Sequence, residues 1–598
     1  MPIRKKLFHL SELEVNQVLF ADNSDDEEGL VLDDEDLQFL EQDVEGMQET
    51  SEISDTLEVT IEPPQENHQL DVNQNSETNS EKAEEVNFIW KKPLPAYQKS
   101  AYEETNFVND FPFGKILIEN ELNGDVTPYS VFEAVSKFTS FIADIVIPQT
   151  ILYSQQNGHV FTTNIDEMKA FFGMHLVMGY HTLPSLRDYW STEPDLGVPF
   201  ISNVMNLKRF EELRRYLHFN DNSEMGDRKA PGFDRAFKIR PVLKHFNECF
   251  LLAMQPTKFQ AIDEHMIRFK GHNIMRQFVK GKPIQWGFKV WCRCDSKSGY
   301  LFEFDLYMGK KLGAVQYGLG ESVVLNLSEK LERLGCQLFI DNYFNSPMLQ
   351  VVLYGRKIFS AGTVRTNRKH LPKKSESQEA KMKKGDSVSV ESHHVFFTKW
   401  MDSKPVNMLS NFLAIEPTQE VKRRVSGFCE KQNISCPAVV KQYNEFMGGV
   451  DIMDQKKVTY QYDHRAKTKY YLRVVFDLID IAVNNSAVVY EKFCVAHPET
   501  KKLDLKTYRR VVARCLIADF CSRKRNAPTS SVHRCNKIAK YMKPLPSAKH
   551  TMQKGQKRSR CKECSKHKRD IKTNNFCVEC NVFLCFVNGR DCFAAYHK

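Results

Sequence analysis

Phe259-Gln260-Ala261-Ile262-Asp263-Glu264-His265-Met266-Ile267 is the stretch at which this 598-residue chain changes its period. Upstream, apolar residues recur at helical spacing. From Lys258 onward they alternate and are largely β-branched or aromatic, which is how a strand with one buried face reads. Asp263 falls in the middle of that strand, where apolar neighbours would bury it. A carboxylate so placed costs free energy unless it meets a cation or a hydrogen-bond donor.

Working downstream, two more strands are expected at Phe288–Cys294 and Tyr300–Tyr307. A helical stretch around Leu325–Leu334, an apolar strand Gln337–Ile340, a helix near Pro347–Tyr354 and a strand Phe359–Val364 follow. Three successive strands and then alternating helix and strand is the order of an RNase H-like sheet, an order that other mixed α/β sheets share at their start. Asp341 directly follows Leu338-Phe339-Ile340, at the carboxyl end of a buried strand, where ligand sites of open α/β sheets gather. Asp451 and Asp454 lie three apart after Gly448-Gly449, on one face at the start of a helix. Ordinary helix capping would account for either of them alone. As a set, carboxylates from separate elements are what two-metal phosphodiester cleavage needs, because each cation must be held by oxygen while keeping open positions.

Upstream, residues 105–255 read as mostly helical and rich in Lys and Arg. Asn164, with Glu167 three residues on, signals a helix start before the run Phe171 to Met178, and Leu207–Phe219 and Phe237–Met254 are further amphipathic helices. The core is then 256–370, a Lys- and Ser-containing insertion 371–440, and a last core helix within 441–500, in a helical region running from Asp451 to Phe493. Residues 501–558 are a basic helical segment and linker, with candidate nuclear-import clusters at Arg523-Lys524-Arg525 and Lys557-Arg558-Ser559-Arg560, so a nuclear location is expected.

Charge divides the chain unevenly. Residues 1–86 carry 25 Asp and Glu against 4 Lys and Arg, a balance of −21, and read as a disordered acidic tail; the remainder carries 79 basic against 51 acidic residues, or +28. A body this basic favours a polyanion, with nucleic acid ahead of anionic membrane. No run of about 18 apolar residues and no signal-peptide pattern occurs, so neither a membrane span nor a membrane partner is expected.

Six of the 16 cysteines fall between Cys561 and Cys592. Cys561-x2-Cys564 and Cys577-x2-Cys580, followed by Cys585, Cys592 and His597 with His567 nearby, make residues 559–598 a zinc module, since two thiolates on one tight turn suit one tetrahedral ion. One or two Zn²⁺ ions are expected.

Several stretches then resemble the piggyBac transposase family. They are Tyr189-Trp190-Ser191-Thr192, Arg209-Phe210-Glu211, Tyr216 to Asp221, Ile262-Asp263-Glu264-His265-Met266 to Gly271, Lys280 to Trp291, Asp341-Asn342-Tyr343-Phe344, Gly362 to Arg365, and Gly448-Gly449-Val450-Asp451 with Asp454-Gln455, all in order. The resemblance implies a multidomain α/β protein: an RNase H-like catalytic core with an insertion, a flanking helical DNA-binding and dimerisation region, and a small C-terminal zinc finger. It places the family's catalytic aspartates on Asp263, Asp341 and Asp451, with a further acid on Asp454, and implies Mg²⁺ held by the first three. The implied activity is cut-and-paste transposition: binding of double-stranded transposon ends by a homodimer, nicking, hairpin formation and joining at TTAA targets. The other reading is a domesticated nuclear protein that binds DNA without cutting it.

The resemblance also implies two interleaved zinc sites, Cys561, Cys564 and Cys585 in one and Cys577, Cys580, Cys592 and His597 in the other. Asn588 stands where the family offers the first site's fourth ligand, which leaves His567 as the candidate. Tyr470 replaces a family Trp on the helix after the last aspartates and is the expected DNA-stacking residue, while Lys289 and Arg365 are the candidate phosphate contacts. Trp286, Phe288 and Trp291 are expected in the core.

Overall fold

The computed structural model describes residues 87–93, 107, 126–309, 317–373, 382–424, 430–462, 469–521 and 552–597, apart from 568, 579, 581, 588 and 589. The acidic segment 1–86 and the cluster 523–525 lie outside these residues. The chain forms two compact units, divided between Ala518 and Asp519.

In the larger unit nine strands form one sheet: β1 (Phe259–Arg268), β2 (Arg276–Phe278), β3 (Trp286–Asp295), β4 (Leu301–Leu306), β5 (Gln337–Ile340), β6 (Phe359–Thr363), β7 (Ser387–Ser392), β8 (Val395–Met401) and β9 (Pro405–Ser410). Their order is β2-β3-β1-β5-β6-β9-β8-β7, with β4 also paired to β3. β1 runs antiparallel to β3 and parallel to β5, and β5 parallel to β6. All four residues of β5 are buried, as a central parallel strand covered on both faces requires. One face packs Ile262, Leu338, Ile340 and Phe344 under helices α6 (Leu319–Leu327) and α7 (Pro347–Gly355). The other packs Phe339, Phe359, Trp400, Met408 and Val439 under α8 (Ala438–Phe446). Each such fully buried Leu or Phe contributes about 2 kcal/mol of transfer free energy.

The segment expected as an insertion does not stand apart: β9 pairs with β6, so β7 to β9 extend the same sheet.

Helices α1 (Pro128–Ser136), α2 (Ile147–Gln156), α3 (Ile165–Tyr180), α4 (Leu207–Tyr216) and α5 (Arg240–Ala253) precede the sheet; α9 (Gly449–Tyr460), α10 (Tyr470–Ala496) and α11 (Leu505–Ile517) follow it. Asn164 caps α3, accepting from the Glu167 amide at 2.9 Å. The Glu167 carboxylate does not complete the reciprocal half of the box; it pairs instead with Arg209 of α4 at 2.6 Å. Helices α3, α10 and α11 are locked by the buried Arg509, which donates to the Leu176 carbonyl at 3.1 Å and pairs with Asp480 at 2.6 Å. No helix among the described residues is long and apolar enough to cross a membrane.

Several expected boundaries shift. The helix expected to reach Phe219 ends at Tyr216, because Leu217 is non-helical (ψ 117°) although it and Phe219 stay buried. The helix expected at Leu325–Leu334 runs from Leu319 to Leu327, and the region Asp451–Phe493 divides into α9 and α10. Phe288 and Trp291 are core residues, but Trp286 is 46% exposed and lies against Phe278 and the Arg276 guanidinium on the edge hairpin β2–β3.

Candidate cation site and thiol clusters

Strand register builds the site. Ile262 of β1 pairs with Ile340 of β5, so Asp263 and Asp341 follow side by side on neighbouring parallel strands. Both are half-buried. Asp341 Oδ1 accepts from Thr363 Oγ1 at 3.0 Å and from the Asn342 amide at 2.6 Å, which orients it. Asp263 Oδ1 accepts from the Glu264 amide at 2.8 Å. Burial pushes the Asp263 carboxyl up to about 7, with the Glu264 and Asp341 charges adding to the effect and Lys282 opposing it. Tyr443, near enough to feel the charges of Asp341 and Asp263, is pushed up to about 12 by burial and by those charges, with a hydrogen bond to Thr363 opposing them.

Asp451 arrives from a third element, on the exposed side of the first turn of α9. Gly449 sets how near that turn comes: a Cβ there would stand 2.9 Å from the Asp295 carbonyl oxygen and 3.3 Å from Ala261 Cβ, so only glycine lets the helix start seat on β1 and β3. Asp263, Asp341 and Asp451 do not gather their oxygens within 4.8 Å of one another as a trio. Two cations about 4 Å apart call for a wider spread than one ion does.

Lys282 lies 3.7 Å from Glu264 Oε1; burial lowers its pKa, but the charges of Asp263, Glu264, Asp451 and Asp454 raise it overall. Lys289 reaches Glu264 Oε2 at 3.9 Å and sits 4.7 Å from the Tyr343 ring, and Arg365 donates to Asn342 Oδ1 at 2.9 Å with its guanidinium 5.9 Å from the same ring. The two residues expected to contact phosphate therefore flank one tyrosine beside Asp341. Tyr470 begins α10, half-buried and edge-on to Phe288 at 6.2 Å. An all-oxygen donor set with more carboxylate than ammonium fits a hard divalent cation, which relieves the mutual repulsion of the acids.

Asp454 is placed differently from its neighbour. Its Oδ1 lies 2.6 Å from Nδ1 of the buried His265, whose Nε2 lies 3.0 Å from Asp477 Oδ2 on α10 and 3.0 Å from Lys457 Nζ. Burial and Lys457 lower the His265 pKa, but Asp454 and Asp477 outweigh them and raise it. Sequence reasoning singled out neither His265, Asp477 and Lys457 nor Lys282, Glu264, Thr363 and Tyr443. Asp477 carried a readable signal, as a carboxylate on the apolar stripe of a helix.

In the smaller unit the strands Met552–Arg560, Lys572–Cys577 and Val582–Phe583 and two short helices hold the thiols. Cys561, Cys564, Cys585 and Cys592 form one buried cluster, with the sulfurs of Cys564, Cys585 and Cys592 3.5–3.6 Å apart. That is close to the ~3.8 Å edge of a tetrahedral Zn–thiolate site and far longer than a disulfide. Cys577, Cys580 and His597 form the second cluster, with Cys580 Sγ 3.4 Å from His597 Nε2. This corrects the expected pairing. Cys592 completes the first cluster rather than the second, and His567 is exposed, 3.9 Å from Glu563, and is in neither. The helix Cys592–His597 explains the division, since its first and last residues face different clusters. Both clusters could hold a metal such as zinc.

Compared with known proteins, the chain matches the family described as Transposase IS4 over residues 127–487. It is 29% identical over 455 residues to the PiggyBac transposable element-derived protein 2 of Homo sapiens, covering 75% of this chain and 74% of that one. It is 27% identical over 464 residues to the PiggyBac transposable element-derived protein 3 of Homo sapiens, covering 76% and 74%. A cryo-EM structure of the piggyBac transposase synaptic complex with hairpin DNA shares its fold, with a TM-score of 0.58 and 22% identity over 80% of this chain and 98% of that one.

Proposed function

The chain belongs to the piggyBac-type Transposase IS4 family, and we propose that it is a DNA-cleaving and DNA-joining transposase with an RNase H-like core, acting on transposon ends at TTAA sites in the nucleus. One observation carries the reading: Asp263 and Asp341 stand side by side, and Gly449 seats the turn bearing Asp451 against β3 and against β1, the strand that carries Asp263. These three residues would hold two Mg²⁺ ions, which when bound activate the attacking oxygen and stabilise the leaving one. Thr363 and the Asn342 amide fix the Asp341 carboxylate, so that it does not have to reorganise during reaction. Lys282, Lys289 and Arg365 supply positive charge for the DNA backbone, Tyr343 offers a ring beside it, and Tyr470 takes an unpaired base. The thiol clusters hold Zn²⁺ and shape the smaller unit to bind the end repeats, and the active species is a homodimer.

A second reading, DNA binding without cleavage, is favoured by the names of the human relatives, both called transposable element-derived. One experiment separates the two. Purified protein with Mg²⁺ is given DNA in which TTAA adjoins an inverted repeat, beside Asp341→Asn. A nick at the repeat boundary made by the wild type and lost in a variant that still binds supports the transposase. Equal binding with no nick from either protein supports the second reading.

A further inference from the structure

Along the strand from Asp263, four side chains from three elements form a charged network. His265 follows Asp263 by two on β1 and so lies on the same face of the strand; it is 1% exposed. Its Nδ1 meets Asp454 of α9 at 2.6 Å, and its Nε2 faces Asp477 of α10 and Lys457 of α9, each at 3.0 Å; Lys457 also pairs with Asp477. Lys457 has no lone pair to offer, so Nε2 either donates to Asp477 or accepts from Lys457. Burying such a group is costly, and stability alone does not account for it. What the network does geometrically is hold α9 to β1 at Asp454 and to α10 at Lys457, on successive turns of the helix whose first turn bears Asp451.

We propose that Asp454 is a positioning residue: its contact with His265 fixes the rotation of α9 on β1 and so aims Asp451 at the Asp263–Asp341 pair, and Asp454 itself ligates no metal. Asp454 Oδ1 is shielded from solvent against the imidazole, whereas Asp451 is exposed, and its charge acts on the same Lys282 as that of Asp263 does. The inference rests on the reading of Asp263, Asp341 and Asp451 as a divalent-cation site. Residues that orient ligands in this way typically change metal affinity by about 10- to 100-fold when replaced, without removing the ion.

The test is a Mn²⁺ titration of the full chain in zinc-supplemented buffer, read by electron paramagnetic resonance. It compares the wild type with Asp263→Asn, Asp451→Asn, Asp454→Asn and His265→Gln, with melting temperature as the control for folding. Asp451→Asn is expected to lose bound Mn²⁺. Asp454→Asn should keep the wild-type stoichiometry with about 10-fold weaker affinity, and its DNA nicking should return as Mg²⁺ is raised. His265→Gln, which retains one donor nitrogen, should weaken binding less than Asp454→Asn does. A purely structural role would move the melting temperature and leave the affinity alone, and that result overturns the proposal. Loss of an ion in Asp454→Asn would make it a ligand and equally overturns it. If Asp263→Asn and Asp451→Asn both bind Mn²⁺ like the wild type, the cation reading fails and the proposal fails with it.

Discussion

Asp477 lies on the buried side of α10 among Val474, Leu478 and Ile481. Burial alone would push its carboxyl up, but the charges of Lys457 and His265 pull it down to about 2. An unfolded aspartate titrates near ~4, so the folded state gains stability from this group above about pH 4 and loses it as the pH falls toward 2. Replacing Asp477 with Asn strands the buried Lys457 and should cost about 3 kcal/mol near pH 6. Denaturant unfolding of wild type and Asp477→Asn should therefore show a gap that narrows between pH 4 and pH 2; a gap independent of pH would mean that the carboxylate is not held ionised. Thr363 offers a second check at this scale. Thr363→Val removes one of two donors to Asp341 Oδ1 and should raise the Mg²⁺ needed for half-maximal nicking about 10-fold at unchanged DNA affinity. Asp263 and Asp341 were legible in the sequence because a carboxylate in a strand, or at its carboxyl end, needs a partner. Lys282 and His265 were not, because a lysine in a hairpin or a histidine in a strand is unremarkable until the fold shows what stands opposite.

Elements set the site by their fit. A Cβ at Gly449 would press on the Asp295 carbonyl, while at Gly448 it would meet nothing within 4 Å. Gly449→Ala should thus lower stability by about 1–3 kcal/mol and weaken divalent-cation binding, and Gly448→Ala should do neither; melting curves and Mn²⁺ titration of the pair decide it. The strand Gln337–Ile340 was readable to the residue because all four side chains are buried and the flanking residues are not regular. The end of α4 was not: Leu217 and Phe219 continue its apolar character while the backbone is already extended. Trp286 was misplaced for a related reason, since an aromatic residue starting a strand reads as core whether its strand neighbour is covered or at an edge. The strands β7 to β9 were hidden as sheet members because pairing partner is a property of topology, which the local pattern does not carry.

At the scale of the molecule the two units hold themselves together differently. The larger has apolar layers on both faces of its sheet, and the smaller has a core made largely of its own thiols. With the thiol clusters holding Zn²⁺ as proposed, a strong chelator should melt the region 552–597 and leave the cooperative transition of residues 126–518 in place, since metal binding supplies the folding free energy of such small units. A single transition that shifts as a whole would contradict this. That the C-terminal cysteines gather into clusters that could hold a metal was legible from the Cys-x2-Cys spacing, but the assignment of Cys592 was not, because spacing does not say which of two interleaved clusters a distant ligand joins. The charge balance of +28 over residues 87–598 pointed to a polyanion without locating it, because composition does not say where in the fold the charges gather; Lys289 and Arg365 come together about the Tyr343 ring.

The most direct test of the central claim, that Asp263, Asp341 and Asp451 together hold divalent cations, is to let the cation mark its own position. Fe²⁺ is substituted for Mg²⁺, ascorbate and peroxide are added, and the sites of peptide-bond cleavage are mapped by mass spectrometry. Cuts clustered near residues 263, 341 and 451, suppressed by excess Mg²⁺ and absent in Asp263→Asn, are the predicted result. Cuts confined to other parts of the chain, or unchanged in that variant, would contradict it.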